Sequence, residues 1–346
     1  MERGRDLRRM ADHTKQVRND ALPLRLLVVI PGDPHSNAMP FSRRQARAMA
    51  ESGGADVRVF FLEDRMSPLA IWRAGRRFRA VAREFRPDVV HAHYGTVTAL
   101  FCVINSPAPV AITFHGSDLN PTPHDGFLRD LVGRIISQMA ALFSSGIICV
   151  STQLRDRLWW RRGGVRILPM GVELDRYVPL ERNEARRRLG WQDRGHVVIF
   201  NATAPERKRV DIARAVEQVL QQRGMRMELE LLLGGITQQQ MPVLLSAADA
   251  LLLCSNSEGS PTMVKEAMAC DLPVVTSDVG DVRDRLKDVR PGAIVAQEVT
   301  ALADALEAVL RLGERSNGRA LAVRNQADAA SLDRDTLVFL RSLARP

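Results

Sequence analysis

Cysteine is scarce and scattered. Cys102, Cys149, Cys254 and Cys270 form no close pair, so neither a disulfide framework nor a thiolate metal site is implied, and reduced structural thiols in a cytosolic protein are the expectation. Long apolar runs are missing as well. None approaches the roughly 18 residues of a membrane span, and stretches such as Leu26 to Ile30 and Leu251 to Cys254 have the length of buried strands. The first residues are polar and charged, which reads against a secretory signal. There is no zinc finger, no RNA-binding aromatic motif and no basic heptad helix, so nucleic acid is not an expected partner. No Asp-x-Asp motif stands in a fitting context, and Asp281-Val282-Arg283-Asp284 reads as a helix start. His91 and His93, two apart at a strand end, lack a third ligand, so no metal is expected.

Lysine is nearly absent. Only four of the 49 basic residues are lysines (15, 208, 265 and 287), and against 40 acidic residues the chain carries a net charge of +9. That balance favours anionic partners: diphosphates or anionic lipid surfaces. The chain has 346 residues, 45% of them apolar, enough for about two domains with separate cores. Residues 1–22 mix Arg3, Arg5, Arg8 and Arg9 with Glu2 and Asp6 without periodicity, which predicts a disordered basic tail. From Leu24 onward short apolar runs alternate with helical patterns. Strands are predicted at Leu24–Ile30, Asp56–Leu62, Asp88–His91, Val110–Phe114 and Gly146–Val150. Helices fall between them, including Phe41–Glu51, Leu69–Phe85 and Phe127–Phe143, with another from Ser151 to Trp160. After a crossover from Gly163 to Pro179 a second series begins at His196–Phe200. It continues through strands Met227–Leu233, Ala250–Cys254, Val274–Thr276 and Ile294–Ala296. Such alternation argues for doubly wound parallel sheets. The predicted division is 23–170, 171–330 and a terminal helix over 331–346.

One stretch stands out. Glu258 and Glu266 bracket a Gly259-Ser260-Pro261 turn followed by Thr262-Met263-Val264. Ser260 suits an N-cap and Pro261 the first helical position. The N–H groups of Thr262, Met263 and Val264 then lack helical partners and suit a phosphate. Carboxylates on either side accept hydrogen bonds from hydroxyls, so the pattern reads as diphosphate plus sugar or ribose. A capped helix with surface charges is the plainer reading of the same residues.

The neighbouring motifs widen that choice into a resemblance. The segment from Glu258 to Ala269 resembles the paired-glutamate motif of retaining GT-B glycosyltransferases of family 4. In the same order lie Arg86-Pro87-Asp88-Val89-Val90-His91-Ala92-His93 and the His-Gly-x-Asp turn at His115-Gly116-Ser117-Asp118. They are followed by Cys149-Val150-Ser151, Leu168-Pro169-Met170-Gly171-Val172-Glu173, Arg207-Lys208-Arg209-Val210-Asp211 and Leu272-Pro273-Val274. The resemblance spans residues 24 to 330. It implies two Rossmann-like domains facing a cleft: an acceptor-side domain over 23–170 and a nucleotide-sugar domain over 171–330, with the C-terminal helix free to return to the first domain. It further implies a metal-independent transferase, without cofactor, that uses a nucleotide-diphosphate sugar.

The same resemblance supplies roles. Lys208 and Arg207 would meet the diphosphate, aided by the helix start at Thr262 to Val264. Glu258 would hold sugar hydroxyls and Glu266 ribose hydroxyls, and His115 would touch the donor sugar beside the reacting centre. By its residues alone His115 also reads as a turn histidine bonded to backbone. Asp118, assigned with His93 to the acceptor side, orients that turn or merely caps it; His93 faces the acceptor, while His91 reads as buried and hydrogen-bonded. Several departures are visible. The first strand–helix loop, His35-Ser36-Asn37-Ala38-Met39-Pro40-Phe41, lacks the usual glycines. Ala202 stands in the region where relatives carry an arginine. Asp271 stands where glycine is common, and a helix and strand are missing between Gly235 and Ser246. This short form resembles a subgroup linked to cell-envelope polysaccharides, so a glycan or lipid-linked acceptor is expected. The basic amphipathic helix over 69–83 and the Trp159-Trp160-Arg161-Arg162 cluster suit an anionic membrane surface, or simply pack one face on the sheet. Two rivals remain at this level: a nucleotide-sugar epimerase of the same architecture, and a degenerate protein that binds sugar without turnover.

Overall fold

Leu24–Pro31 (β1), Val89–His93 (β3) and Val110–Phe114 (β4) are almost wholly buried, as strands must be when both faces of a parallel sheet are covered. The computed structural model describes residues 23–36, 38–121, 126–325 and 327–344. The expected tail over 1–22, and Asn37 in the first loop, lie outside the described residues.

With Ala55–Leu62 (β2), Gly146–Cys149 (β5) and Val165–Ile167 (β6), these strands form a parallel sheet in the order β2-β1-β3-β4-β5-β6. The second sheet holds His196–Asn201 (β7), Met227–Leu232 (β8), Ala250–Leu253 (β9), Val274–Ser277 (β10) and Ala293–Val295 (β11), ordered β11-β10-β9-β7-β8. The strand order reverses between β1 and β3 in the first sheet and between β7 and β9 in the second. Ligands of open α/β sheets sit beyond the carboxyl ends of strands at such reversals. His93 ends β3 and His115 follows β4, while Lys208 and Glu258 lie in the connections after β7 and β9.

In the first domain Pro40–Glu51 (α1) covers one face of the sheet. Pro68–Phe85 (α2), Thr96–Asn105 (α3), Phe127–Phe143 (α4) and Thr152–Asp156 (α5) are associated with the other. Phe60, Phe78 and Phe101 pack there with ring centroids 5.3 to 6.1 Å apart. α2 starts where Ser67 accepts the Ala70 N–H, an ordinary N-cap, and it buries Phe78, Ala82 and Phe85. Its apolar face therefore packs on the sheet.

Three segments differ from the sequence expectation. The helix capped by Ser151 stops at Asp156 rather than Trp160, and Leu158 then turns into the core. The stretch expected as plain crossover contains β6. Arg182–Leu189 (α6) is a helix that hydropathy hides, because only Ala185 is buried. It is instead set by Glu181, whose carboxylate accepts the Asn183 and Glu184 N–H groups.

In the second domain Pro205–Lys208 (α7), Val210–Gln222 (α8), Met241–Ala247 (α9), Thr262–Ala269 (α10), Val282–Leu286 (α11), Val299–Leu312 (α12) and Gly318–Arg324 (α13) complete the layers. The terminal helix Ala329–Leu343 (α14) returns to the first domain. Its Asp333 pairs with Arg44 of α1 at 2.7 Å, and Leu340 is buried against Leu26 and Val28. Among the described residues no helix is long and apolar enough to cross a membrane.

Candidate active site

The two domains meet backbone to backbone at Gly116 and Gly259, with Gly280 of the second domain packed behind Gly259. A Cβ on Gly259 would lie 1.9 Å from the His115 carbonyl oxygen, and one on Gly280 would lie 2.8 Å from the Gly259 oxygen. Gly116 leaves only 3.1 Å to the Gly259 nitrogen and has a φ of +152°. Asn120 Nδ2 donates to the Glu258 carbonyl across the same seam at 3.0 Å. This contact brings the His115 turn and the Glu258 turn to one wall of the cleft.

The Glu258 side chain is only 10% exposed and carries two cations. Lys208 Nζ bonds its Oε1, Arg207 Nη1 lies 3.2 Å from Oε2, and Ser255 Oγ donates to Oε1 at 2.8 Å. Both cations come from the single turn of α7, held by the Asn256 N–H bonded to the Arg207 carbonyl. Ala202 does not leave the clamp with one charge, because Arg207 stands beside Lys208. Burial would raise the Glu258 pKa, but Lys208 and Arg207 outweigh it and hold the carboxyl below its ordinary range. Burial also lowers the Lys208 pKa more than Glu258 raises it.

At the start of α10 the sequence expectation needs correcting. Ser260 is not the N-cap; Pro261 takes that position. The Ser260 hydroxyl is committed elsewhere, donating to Asp281 Oδ2 at 2.8 Å and accepting from Lys265 Nζ at 3.0 Å. Val264 is not a free donor either, since its N–H bonds the Pro261 carbonyl at 3.2 Å and its side chain is buried. Thr262 and Met263 remain at the helix start, ahead of the first helical bond, and both line the cleft. Glu266 lines it too; its Oε1 accepts the Tyr177 hydroxyl at 2.8 Å, and burial raises its pKa.

Lys265 is a buried cation that motif reading passed over. Its Nζ donates to the Met170 carbonyl at 2.6 Å, tying α10 to the segment between the domains. Burial, and then Arg285, bring its pKa down to about 7. An unfolded lysine titrates near 10.4, so between about pH 7 and about pH 10 the unfolded chain binds a proton that the native chain does not. The unfolding free energy therefore rises with pH across that window, by roughly 2–4 kcal/mol. Urea titrations across the window check this. Lys265→Met flattens the slope; parallel slopes for the two proteins would show that this lysine is not the source.

Asp118 organises the histidine turn. Its carboxylate accepts the Gly116 N–H at 2.7 Å, the His115 N–H at 3.0 Å and the Gly95 N–H at 2.9 Å. Asp118 and His93, named for the acceptor side, are buried and do not line the cleft. His93 stands behind His115, with its Nδ1 3.2 Å from His115 Nε2, while His93 Nε2 is buried without a partner. Orphaned buried N–H groups are rarer than under-used lone pairs. That assigns the His93 proton to Nδ1 and leaves the His115 proton on its own Nδ1. Burial lowers the pKa of His91, His93 and His115, so the cluster is neutral near pH 7.

His115, Arg207, Lys208, Glu258, Gly259, Ser260, Pro261, Thr262, Met263 and Glu266 all line one cavity of about 1080 Å³ between the domains. Arg44 and Arg47 of α1, Asn201, Thr203 and Tyr177 line it as well. None of these five was singled out from the sequence, because no local pattern marks them. Among the described residues no three His, Cys, Asp or Glu side chains group as a metal site would need. A second cavity, of about 1000 Å³, lies at the amino ends of β7 and β8. Its Arg182 and Arg186 are spent on Asp249, and its Arg315 on backbone carbonyls, which makes them internal braces.

The chain matches two family models. Glycosyltransferase Family 4 covers residues 25–176, and Glycosyl transferases group 1 covers residues 215–324. TuaC of Bacillus subtilis, assigned as a glycosyltransferase of teichuronic acid biosynthesis, is 28% identical over 250 residues, 65% of this chain and 61% of TuaC. The chain thus spans about three-fifths of the length of that relative. Among solved structures, sucrose-phosphate synthase from Thermosynechococcus elongatus superposes with a TM-score of 0.75 at 18% identity, over 92% of this chain and 99% of that one. HepE of Anabaena, in complex with UDP and glucose, gives 0.69 at 17% identity, over 92% and 100%. Two sheets meeting at a seam of glycines, with a paired-glutamate segment facing a His-Gly-Ser-Asp turn, are thus seen in a chain that belongs to the GT-B glycosyltransferases of family 4.

Proposed function

We propose that this protein is a retaining, metal-independent transferase that moves a sugar from a nucleotide-diphosphate sugar to a glycan or lipid-linked envelope precursor at the cytoplasmic side of a membrane. The observation that carries this reading is the convergence of Arg207, Lys208, Glu258, Glu266 and the α10 start on one cavity, opposite His115. Lys208 and Arg207 are placed to stabilise the charge that grows on the departing diphosphate, with the Thr262 and Met263 N–H groups adding to the same field. No metal is then required for that task. Glu258 accepts sugar hydroxyls and Glu266 the ribose hydroxyls. The His115 imidazole Nδ1–H is a neutral donor suited to a sugar hydroxyl. Transfer with retention has the acceptor attack from the face that the diphosphate leaves, and the departing phosphate takes the acceptor's proton. Tight orientation in a closed cleft supplies much of the remaining rate. The UDP in HepE makes uridine diphosphate sugars the first donors to try.

A donor panel tests the proposal. Each nucleotide sugar is incubated with and without envelope lipid or glycan acceptors, and product stereochemistry is resolved. The expected result is acceptor-dependent transfer with retained anomeric configuration. Inversion would remove the retaining mechanism. A changed sugar without acceptor would mean an epimerase, and no turnover of any donor would mean a binding protein.

A further inference from the structure

Helix α4 is built inside out. Its eight exposed residues are Phe127, Leu128, Arg129, Val132, Ile135, Met139, Leu142 and Phe143; seven are large and apolar, with Phe127 at 73% and Leu128 at 70% exposure. Its buried residues are small or polar: Asp130, Ser137, Gln138, Ala140 and Ala141. Scattered exposed hydrophobics are ordinary, but a contiguous apolar face on a helix marks an interaction surface. α8 shows the usual arrangement, with Ile212, Val216 and Leu220 buried.

We propose that the outer face of α4, with the adjoining Trp159 and its neighbouring arginines, docks on an anionic lipid bilayer and lies flat in its interface. Charge selects this occupant. The exposed side of α4 carries no carboxylate, since Asp130 is buried and paired with Arg134 at 3.0 Å. The basic, aromatic segment Arg157–Arg162 is fastened to the C-terminal half of the helix. There the Trp160 indole N–H donates to the Gln138 carbonyl at 3.1 Å, and Arg161 Nη1 to the Ala141 carbonyl at 2.8 Å. Trp159 remains 53% exposed. An apolar face edged by tryptophan and arginine matches the acyl–headgroup boundary of anionic lipid. A second copy of the chain would instead set these arginine edges against each other across a two-fold axis.

The inner side of the same helix reaches the candidate site. Ser137 Oγ donates to the Asp118 carbonyl at 2.7 Å and accepts the Thr96 N–H at 2.8 Å. The docking face is therefore about one helix diameter, roughly 10 Å, from the His115 turn. A lipid-linked acceptor held in the bilayer would be presented beside the cleft. This last step rests on the proposed acceptor class; the docking itself does not. It also moves the membrane contact away from residues 69–83, whose helix packs its apolar face on the sheet.

Flotation of the full chain with phosphatidylcholine vesicles, with and without phosphatidylglycerol, tests the docking without any donor or acceptor. Binding is expected to be at least tenfold stronger with phosphatidylglycerol and to weaken with salt. The triple variant Val132→Ser, Ile135→Ser, Met139→Ser should lose at least tenfold, while Leu69→Ser with Trp72→Ser changes little. The triple variant should keep wild-type turnover of donor with a water-soluble acceptor, which separates failed docking from a failed transferase reading. Equal flotation of the triple variant, or none by the wild type, would overturn the proposal. So would a dimer in light scattering that the same three substitutions dissolve.

Discussion

Glu258→Ala is expected to reduce sugar transfer by about 10²–10³-fold, the usual cost of removing one preorganised electrostatic contact, and to destabilise the fold as well. The two losses share a cause. The Glu258 side chain is 10% exposed and that of Lys208 is 8%, so alanine leaves a buried ammonium with no counter-charge. Removing one partner of a buried pair commonly costs roughly 3–5 kcal/mol. Glu258→Gln separates the effects, because the amide keeps the shape and accepts from Ser255 and Lys208 while losing the charge. It should recover part of the stability and little of the activity. The carboxylate's own contribution has a definite pH dependence. Its folded pKa lies below the unfolded one, so its stabilisation is present above the ordinary carboxylate range and is lost as pH falls through the folded value. Donor turnover and urea unfolding on the three proteins check the set. Full activity in Glu258→Ala would remove this residue from the mechanism.

Gly259→Ala is expected to cost transfer at least 10²-fold while each domain stays folded. The added Cβ would lie 1.9 Å from the His115 carbonyl oxygen. Neither neighbour is the end of a flexible side chain, so the backbone must move and the seam must open. A displacement of about 1 Å in reacting groups is enough for such a loss. Gly53→Ala is the control. Its φ of +71° adds a conformational penalty that Gly259 does not carry, but a Cβ there meets nothing within 4 Å, so activity should hold even at some cost in stability. The informative readout is a fall in kcat for Gly259→Ala with near-wild-type unfolding. A protein that keeps full kcat would show that the domains need not touch at this point.

The alternation of buried strands and helices was legible because a strand covered on both faces must be mostly apolar. β1 and β4 are of that kind, and β3 departs from it only at His91 and His93. α6 was not, because it is held by the Glu181 cap and by arginines on its last turn rather than by an apolar stripe. β6 was lost inside an apparent crossover because half-buried Val165 and Ile167 around exposed Arg166 are too few residues to show a period. Asp271 does adopt the left-handed turn that glycine usually fills, at φ 52°. Its carboxylate accepts the Arg319 N–H at 2.8 Å, a partner 48 positions away that no local pattern shows.

The site divides in the same way. Glu258, Glu266, Lys208 and His115 stand out by residue type and by an order that resembles the motifs of the family. What each group touches was beyond the sequence. Ser260 looks like a helix cap, yet its hydroxyl is taken by Asp281 and Lys265. His93 looks open to the acceptor, yet it stands behind His115. α4 has an amphipathic period that locates a helix correctly, and only its packing reveals that the apolar side faces out. Sequence by itself determined the two α/β domains, the family motifs and the residue types that can do the chemistry, since these depend on local periodicity and composition. Tertiary structure alone decided which hydroxyl caps which helix, which imidazole reaches the cleft and which face of a helix meets solvent, because those follow from contacts between residues far apart in the chain.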